Sequence, residues 1–293
     1  MTNRKGQSTT KRIGCLGFFL IILIAVVVIS VIILIDSNTR LVTTEHTLRY
    51  NNLPDAFDGY RIVLLADLHG AEHGEDNERL VAQIRAANPD IIAFSGDIID
   101  RYQPNNPVEK QLETAQTLLH QLVRIAPVYY VTGNHEWDSG KVRELFAMLE
   151  ENDVNVLRNQ YQRIAIGDDS IILAGVDDRN GPADMITPED FIKNIREREN
   201  PDFIAVLSHR NYLQLYSDLG VDLVLSGHAH GGMVRLPFTD GLIGPYNEIF
   251  PSYTNGVYTR GDTSMVVSRG LGNHFGWTRF LNNAQVVVVE LRN

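Results

Sequence analysis

Cysteine is nearly absent from this 293-residue chain, because Cys15 is the only one. A single thiol cannot form an intrachain disulfide, so a hydrophobic core has to hold the fold, and a chain of this length can bury one. Cys15 lies at the start of a long apolar segment, where it is either an acylated thiol or, more simply, a small apolar residue.

Charge is absent from residue 13 to residue 35, a stretch of 23 residues that reads IGCLGFFLIILIAVVVISVIILI. About 20 apolar residues are enough to span a bilayer as a helix. The alternative is a cleaved signal peptide, whose apolar core is about 7 to 15 residues long and precedes a cleavage site of small residues. This stretch is longer, and VIILIDSNTR contains no clear site of that kind. The sequence therefore predicts a retained transmembrane helix at residues 13–35.

Acidic residues are absent from the first twelve positions, which carry Arg4, Lys5, Lys11 and Arg12. Positive charge stays on the cytoplasmic side of a membrane. We therefore expect a cytoplasmic tail at residues 1–12 and a single-pass protein of the cell membrane whose remaining chain is extracytoplasmic. The composition divides that remainder into a juxtamembrane connector at residues 36–45 and one large domain at residues 46–293.

An excess of basic residues is also lacking, since the formal net charge is −10. Without the four basic residues of the tail, 22 Lys and Arg face 36 Asp and Glu, which leaves the rest near −14. Proteins that bind a nucleic-acid backbone carry the opposite balance. No nucleic-acid partner is expected, and nothing in the sequence predicts an obligate protein partner.

Short apolar runs bounded by Gly, Asp or Asn predict buried strands. They cover residues 61–66, 91–94, 128–131, 171–174, 205–207, 223–225, 265–267 and 285–291. Helical patterns cover residues 77–87, 107–125, 141–152 and 188–198. Strands that alternate with helices early and dominate late indicate a layered α/β domain with a mixed sheet.

Polar residues that suit metal binding follow five of the predicted strands. They are Asp67 and His69, Asp97, Asn134 with His135, His209, and finally His228 with His230. Each residue alone is typical of a turn, a helix cap or a hydrogen-bonded structural histidine. Ligands bind beyond the carboxyl ends of the strands in open α/β sheets, so five such ends together indicate one common site. In an extended chain, the i and i+2 histidines at 228 and 230 would point the same way.

Imidazole, carboxylate and amide oxygen without thiolate suit Mn, Fe, Zn or Ni better than Cu(I) or an iron–sulfur cluster. Without His135 the set still has seven candidate ligands, which are too many for one tetrahedral zinc but fit two ions if one carboxylate bridges them. Two ions about 3.5 to 4 Å apart can clamp the attacking and leaving oxygens of a displacement at phosphorus. Water shared by two such ions loses a proton near neutral pH, so no Ser or Cys nucleophile is required.

The ordered blocks D-x-H (67–69), G-D-x-x-D (96–100), G-N-H-E (133–136), S-H (208–209) and G-H-x-H (227–230) resemble the calcineurin-like metallophosphoesterase family. The segments GGMVRLPF (231–238) and SRGLGNH (268–274) resemble its bacterial membrane-anchored phosphodiesterase branch. The resemblance implies a four-layer α/β/β/α sandwich of two mixed sheets, preceded here by the transmembrane helix. Met233 departs from the glutamine common in that branch, which puts substrate preference in question.

The resemblance also implies a role for each matching residue. One divalent ion falls to Asp67, His69 and His230, a second falls to Asn134, His209 and His228, and Asp97 bridges both. His135 is implied to protonate the leaving oxygen, with Asp100 supporting a ligand. Arg210 is expected either to hold a phosphate oxygen or to be an ordinary surface arginine, and His274 is a candidate substrate contact.

The implied activity is hydrolysis of phosphodiester or pyrophosphate bonds by metal-activated hydroxide, on an envelope or lipid-linked substrate. The metals expected are Mn, Fe or Zn. Three alternatives remain open: a UDP-linked glycolipid pyrophosphatase, a phosphomonoesterase of the same fold, and a metal-binding sensor or scaffold without turnover. His135 counts against the last, because a binding protein needs no acid for a leaving group.

Overall fold

The structure is a computed structural model that describes residues 7–237, 239–244, 247–273 and 278–293, with side chains from residue 17 onward. The helices are α1 (Gln7–Thr39), α2 (Glu78–Ala86), α3 (Val108–Leu122), α4 (Asn134–Asp138), α5 (Val142–Glu151), α6 (Pro188–Glu199) and α7 (Leu213–Asp218). The strands are β1 (Leu41–Arg49), β2 (Arg61–Leu65), β3 (Ile91–Phe94), β4 (Val128–Tyr130), β5 (Asn155–Val156), β6 (Gln160–Ile166), β7 (Asp169–Val176), β8 (Ile204–Ser208), β9 (Leu223–Ser226), β10 (Gly256–Arg260), β11 (Thr263–Val267) and β12 (Ala284–Arg292).

Within the described ranges, the strands form two six-stranded mixed sheets, which confirms the predicted fold class. The first sheet has the order β1-β12-β2-β3-β4-β5, and the second has the order β10-β11-β9-β8-β7-β6. In the first sheet β2, β3, β4 and β5 are parallel, while β12 runs antiparallel to β2. In the second sheet β7, β8, β9 and β11 are parallel. Each sheet therefore gathers several carboxyl strand ends at one edge.

Three apolar clusters separate four layers. The middle cluster packs one sheet on the other and includes Ile62, Leu64, Leu207 and Leu225. A second cluster fills the space between the outer face of the first sheet and helices α2, α3 and α5, and a third lies between the second sheet and helices α6 and α7. Since the central strands are buried on both faces, their sequences are continuous apolar runs rather than alternating ones.

All eight predicted strands and all four predicted helices of the domain at residues 46–293 are present, with ends that differ by a few residues. Helix α6 begins as predicted, because the Thr187 side chain accepts a hydrogen bond from the amide of Asp190 at 3.1 Å and Pro188 is the first helical residue. The sequence did not predict β6, an edge strand whose side chains are mostly exposed, so its pattern lacks the apolar run of a buried strand.

Helix α1 contains the predicted span 13–35 and continues to Thr39. Its stretch Gly17–Thr39 is long and apolar enough to cross a membrane and packs against no other part of the chain over its most apolar window. The predicted connector at 36–45 differs from the structure, because α1 occupies its first four residues and β1 begins at Leu41. Along most of strand β1, half-buried positions alternate with exposed ones. Its Thr, Glu and His residues prevent this alternation from appearing as an alternation of apolar and polar residues in the sequence.

The position of β1 determines which ends of the strands in the first sheet lie next to α1. Leu41 pairs with Ala284 at the start of β12, and Val287 of β12 pairs with Leu64 near the end of β2. Because β1 and β12 run antiparallel to β2, the chain leaves α1 beside the carboxyl ends of β2, β3 and β4. The C-terminal end of α1 and the predicted metal site therefore both lie at the carboxyl ends of these strands.

Candidate metal centre at the strand ends

The predicted ligands converge between the two sheets. Asp67 follows β2, Asp97 follows β3, and Asn134 opens α4 just after β4. From the other sheet, His209 follows β8, and His228 with His230 follows β9. All seven predicted ligands, including His69, are less than 9% exposed. Parallel strands that end at a common edge explain why residues up to 163 positions apart in the chain meet.

One cluster consists of Asp67, His69 and His230, whose ligand atoms lie within 4.8 Å of one another. The Nε2 atoms of His69 and His230 are 3.1 Å apart, and His230 Nε2 is 3.6 Å from Asp67 Oδ1. This is the group that the family resemblance assigns to the first ion.

A second cluster consists of Asp97, His209 and His228. Nε2 of His209 is 3.2 Å from Asp97 Oδ2 and 3.0 Å from Nδ1 of His228. The same oxygen of Asp97 is 3.9 Å from Nε2 of His69, in the first cluster. Asp97 therefore lies between the clusters, as a bridging carboxylate has to.

Two observations test whether these residues fit metal ions. The Oδ1 atom of Asn134 and the Nδ1 atom of His230 are buried and have no hydrogen-bond partner among the described residues, a costly state for polar atoms. Burial and the neighbouring His209 hold the pKa of His228 well below its usual range, and burial and His69 do the same for the pKa of His230. Neutral imidazoles at His228 and His230 and an unpaired amide oxygen suit a cation, so the residues fit a pair of divalent ions. Burial is outweighed by the charge of Asp97, which raises the pKa of His209 to about 10, so this imidazole would release its proton when an ion binds.

The backbone at the site is strained. Five of the seven predicted ligands have φ values between 48° and 67°, in the left-handed region that few non-glycine residues adopt. They are Asp67, His69, Asp97, His228 and His230. The expectation that His228 and His230 share an extended conformation is therefore wrong: β9 ends at Ser226, and each histidine turns toward a different cluster. Such conformations persist where surrounding structure holds them, commonly at functional sites.

A close backbone approach explains Gly133 in the G-N-H-E block. A Cβ atom at this position would lie 2.2 Å from Oδ1 of Asp97. Only glycine lets the turn before α4 pass so near the carboxylate. The turn also brings the amide of His135 to 2.9 Å from the same oxygen.

His135 lies beside the clusters and is bound to Asp100. Its Nδ1 atom is 2.6 Å from Asp100 Oδ1, and its Nε2 atom is 3.9 Å from Asp97 Oδ2. Burial disfavours the imidazolium, but Asp97 and Asp100 outweigh this effect and raise the pKa of His135 to about 9. Asp100 Oδ2 also lies 4.0 Å from His69 Nδ1, so this carboxylate orients both imidazoles.

Glu136 is a structural member of the site that the sequence reasoning missed. Its fully buried carboxylate accepts hydrogen bonds from the amides of Asp97 (2.9 Å), Ile98 (2.8 Å) and Gly133 (2.6 Å). It thereby ties the loop after β3 to the turn before α4. The G-N-H-E block contained this residue, but nothing in its spacing indicated that the carboxylate would face backbone amides.

Arg210 is buried rather than on the surface, and it is held by a second missed residue. Its Nε atom donates to Asp178 Oδ2 at 2.6 Å, and its Nη2 atom donates to Asp178 Oδ1 at 3.1 Å. This two-fold ion pair occupies the edge that would otherwise grip a phosphate. The predicted substrate contact of Arg210 stays a prediction, and His274, the other one, lies outside the described residues.

The sandwich, the two clusters and the order of the blocks define a metallophosphoesterase. The family model for calcineurin-like phosphoesterases matches residues 60–232. An uncharacterized metallophosphoesterase of Bacillus subtilis (strain 168), YkuE, is 32% identical over 256 residues, which are 86% of this chain and 85% of that protein. The chain belongs to the calcineurin-like phosphoesterase family.

The chain is also similar to two further proteins. A Bos taurus transmembrane protein with a metallophosphoesterase domain is 30% identical over 222 residues, which are 71% of this chain and 48% of that protein. The crystal structure of a Danio rerio dimetal phosphatase is 12% identical with a TM-score of 0.45, and the match covers 73% of this chain and 88% of that one. Family membership makes the chain a metal-dependent phosphoesterase, a hydrolase whose cofactors are two divalent metal ions.

Proposed function

We propose that this protein is a membrane-anchored phosphodiesterase that hydrolyses phosphodiester or pyrophosphate bonds of an envelope or lipid-linked substrate. The observation that carries the proposal is the pair of buried clusters joined by Asp97, at the sheet edge next to the end of α1. A site at that edge meets a substrate whose apolar part stays in the bilayer.

In this proposal Asp67, His69 and His230 hold one ion, and Asn134, His209 and His228 hold the other. Asp97 contributes to both, in keeping with its distances to His209 and His69. Two bound divalent ions supply positive charge that lowers the pKa of water and offsets the charge of the phosphoryl oxygens.

His135 is the proposed general acid for the leaving oxygen. Its Nδ1 atom is held by Asp100, which leaves Nε2 on the side of Asp97 and the clusters. The carboxylate of Asp100, hydrogen-bonded to Nδ1, favours the protonated imidazole that a general acid requires. Asp100 accepts the Nδ1 proton, so the imidazolium presents its second proton at Nε2, and the ring left after donation is the neutral Nδ1–H tautomer.

The proposed location is the outer face of the cell membrane. The basic residues of positions 1–12 favour a cytoplasmic N-terminus, and α1 supplies the span. The catalytic domain then lies outside, with its strand-end site turned toward the side from which α1 enters.

A substrate panel tests the proposal. The full chain, purified in a non-ionic detergent, would be supplied with Mn²⁺, Fe²⁺ or Zn²⁺ and assayed on bis-p-nitrophenyl phosphate, p-nitrophenyl phosphate, a lipid-linked pyrophosphate and a UDP-linked glycolipid. Faster turnover of diester or lipid-linked pyrophosphate than of monoester supports the proposal. Exclusive monoester hydrolysis would contradict the phosphodiesterase assignment, and metal binding without turnover on any member would indicate a sensor.

A further inference from the structure

A cavity of about 120 Å³ lies where α1 meets the outer domain. Residues 37–40 at the end of α1 form one side. The other sides are lined by Ala71–His73 with Arg79, and by Leu271–Asn273 with Arg279 and Ala284. The cavity shares no lining residue with the two metal-ligand clusters, and of its lining only Leu271–Asn273 lies in a segment that resembles the family, SRGLGNH (268–274).

Arg279 lines this cavity and is only 1% exposed. Its Nε atom donates to Asn273 Oδ1 at 2.6 Å, and its Nη2 atom donates to the carbonyls of Arg269 (2.8 Å) and Gly272 (2.6 Å). All three acceptors are neutral. Its Nη1 atom has no hydrogen-bond partner among the described residues. Burial lowers the pKa of Arg279 to about 10, and the nearby charge of Asp67 only partly offsets this effect, so an anion at the unbonded Nη1 atom would stabilise the guanidinium.

Two more arginines line the cavity, and both are exposed. Arg40 is 2.8 Å from Asp36 Oδ2, and Arg79 Nη1 donates to the carbonyl of Thr39 at 3.2 Å. Among the described residues that line the cavity, the one carboxylate is that of Glu72, which accepts a hydrogen bond from the amide of Asp76 at 3.1 Å. Three arginines against one glutamate give the cavity a positive charge.

We propose that this cavity binds an anion of the phosphate class, and that its source is the headgroup of an anionic membrane lipid. Guanidinium groups suit phosphate oxygens because their donors are arranged in a fork. The lipid source follows from the position, since the last three residues of α1, Ser37–Thr39, and the following Arg40 form one side. Basic residues next to a span are attracted to anionic headgroups.

Described residues close to Arg279 in the sequence contact two of the predicted metal ligands. Asn282 Nδ2 donates to the carbonyl of His230 at 2.7 Å, and a Cβ on Gly270 would lie 2.7 Å from Cβ of Asp67. The same part of the chain bonds to α1, because Asn38 Nδ2 donates to the carbonyl of Arg279 at 2.8 Å. The site therefore links the membrane surface to two predicted metal ligands, and it does not depend on the proposed substrate.

Native mass spectrometry of the full chain in a non-ionic sugar detergent tests this site. EDTA is present so that metal ions at the strand ends retain no anion. The titrants are dioleoylphosphatidylglycerol, dioleoylglycerol with the same chains but no phosphate, and inorganic phosphate. The variants are Arg279→Gln, Arg79→Gln and Arg40→Gln, of which the last two change exposed side chains and leave the core intact. Arg260→Gln is the matched control, since Arg260 is an exposed, paired arginine at the opposite end of the second sheet.

Phosphatidylglycerol should bind better than dioleoylglycerol. Arg279→Gln should weaken it about tenfold or more, as loss of a charge-assisted hydrogen bond does, and Arg79→Gln or Arg40→Gln about fivefold. Arg260→Gln should bind like the unmodified chain. If inorganic phosphate alone shows this dependence on the three arginines, the anion site stands and its source is soluble phosphate. The proposal would be overturned if none of the three substitutions at Arg279, Arg79 and Arg40 changed the binding of phosphatidylglycerol or of inorganic phosphate.

Discussion

The contact between Asp100 and His135 makes Asp100→Asn a sharp test of the proposed acid. The two groups are 2.6 Å apart and buried, and the carboxylate is one of the causes of the raised pKa of His135. Asparagine has nearly the same shape but carries no charge. The replacement therefore removes the charge that stabilises the imidazolium while leaving the packing in place.

The magnitude follows from the strength of such a contact. A hydrogen bond to a charged group is worth about 1.5 to 3 kcal/mol, which corresponds to a pKa decrease of roughly one to two units for His135. His135 acts as an acid in its protonated form, so activity is present below its pKa and is lost as pH rises through it. Asp100→Asn should thus move the alkaline limb of kcat to lower pH by about one to two units.

The assay is kcat against pH for two diesters, one with a p-nitrophenol leaving group and one with an alkyl leaving group, with metal content measured in parallel. The loss should be larger for the alkyl ester, whose leaving oxygen needs a proton. Asp138→Asn is the matched control. Asp138 belongs to α4, the helix that contains His135, and its carboxylate pairs with Arg101. An unchanged alkaline limb, or an equal loss on both esters, would refute the acid assignment. Loss of bound metal would instead indicate that Asp100 supports the predicted metal ligand His69.

Three other predictions concern the site, the loop and the membrane. Asp97→Asn should lower the metal bound at both positions and nearly abolish turnover, because Asp97 lies between the clusters. Chelation with EDTA should have the same effect on turnover. Full turnover in the variant or in EDTA would contradict the bridging role. Glu136→Ala should lower the free energy of unfolding by about 3 to 5 kcal/mol, since three buried amides lose their acceptor, and denaturant titration against Glu144→Ala on the exposed face of α5 measures the difference. Protease added to spheroplasts should digest the domain after residue 40 while the N-terminus stays at Met1; a new N-terminus after residue 35 would show that the apolar stretch is a signal peptide.

The sequence predicted the parts of this molecule whose patterns are local. Continuous apolar runs are typical of strands buried on both faces, so β2, β3, β8 and β9 were identified. Ligand-type residues directly after those strands predicted the metal centre, and the structure brings them together. Strand β1 was missed because its polar Thr, Glu and His residues are compatible with a connector.

Long-range contacts explain the rest of what the sequence did not predict. Asp178 reaches Arg210 from 32 positions away, and Glu136 reaches the amide of Asp97 from 39 positions away. Neither distance follows from the spacing of a motif. The same applies to Arg279, whose partners include Asn38 at a separation of 241 residues. Such residues become visible only when the sheet order is known, whereas the metal ligands needed only the strand ends.

The number of metal ions bound per chain tests the dimetal assignment most directly. Titration of the metal-free full chain with Mn²⁺, followed by elemental analysis, should give two ions for the unmodified protein. Asn134→Ala should keep the ion of Asp67, His69 and His230, and Asp67→Asn should keep the ion of Asn134, His209 and His228. A stoichiometry of one in the unmodified protein, or two ions retained in both variants, would contradict the account.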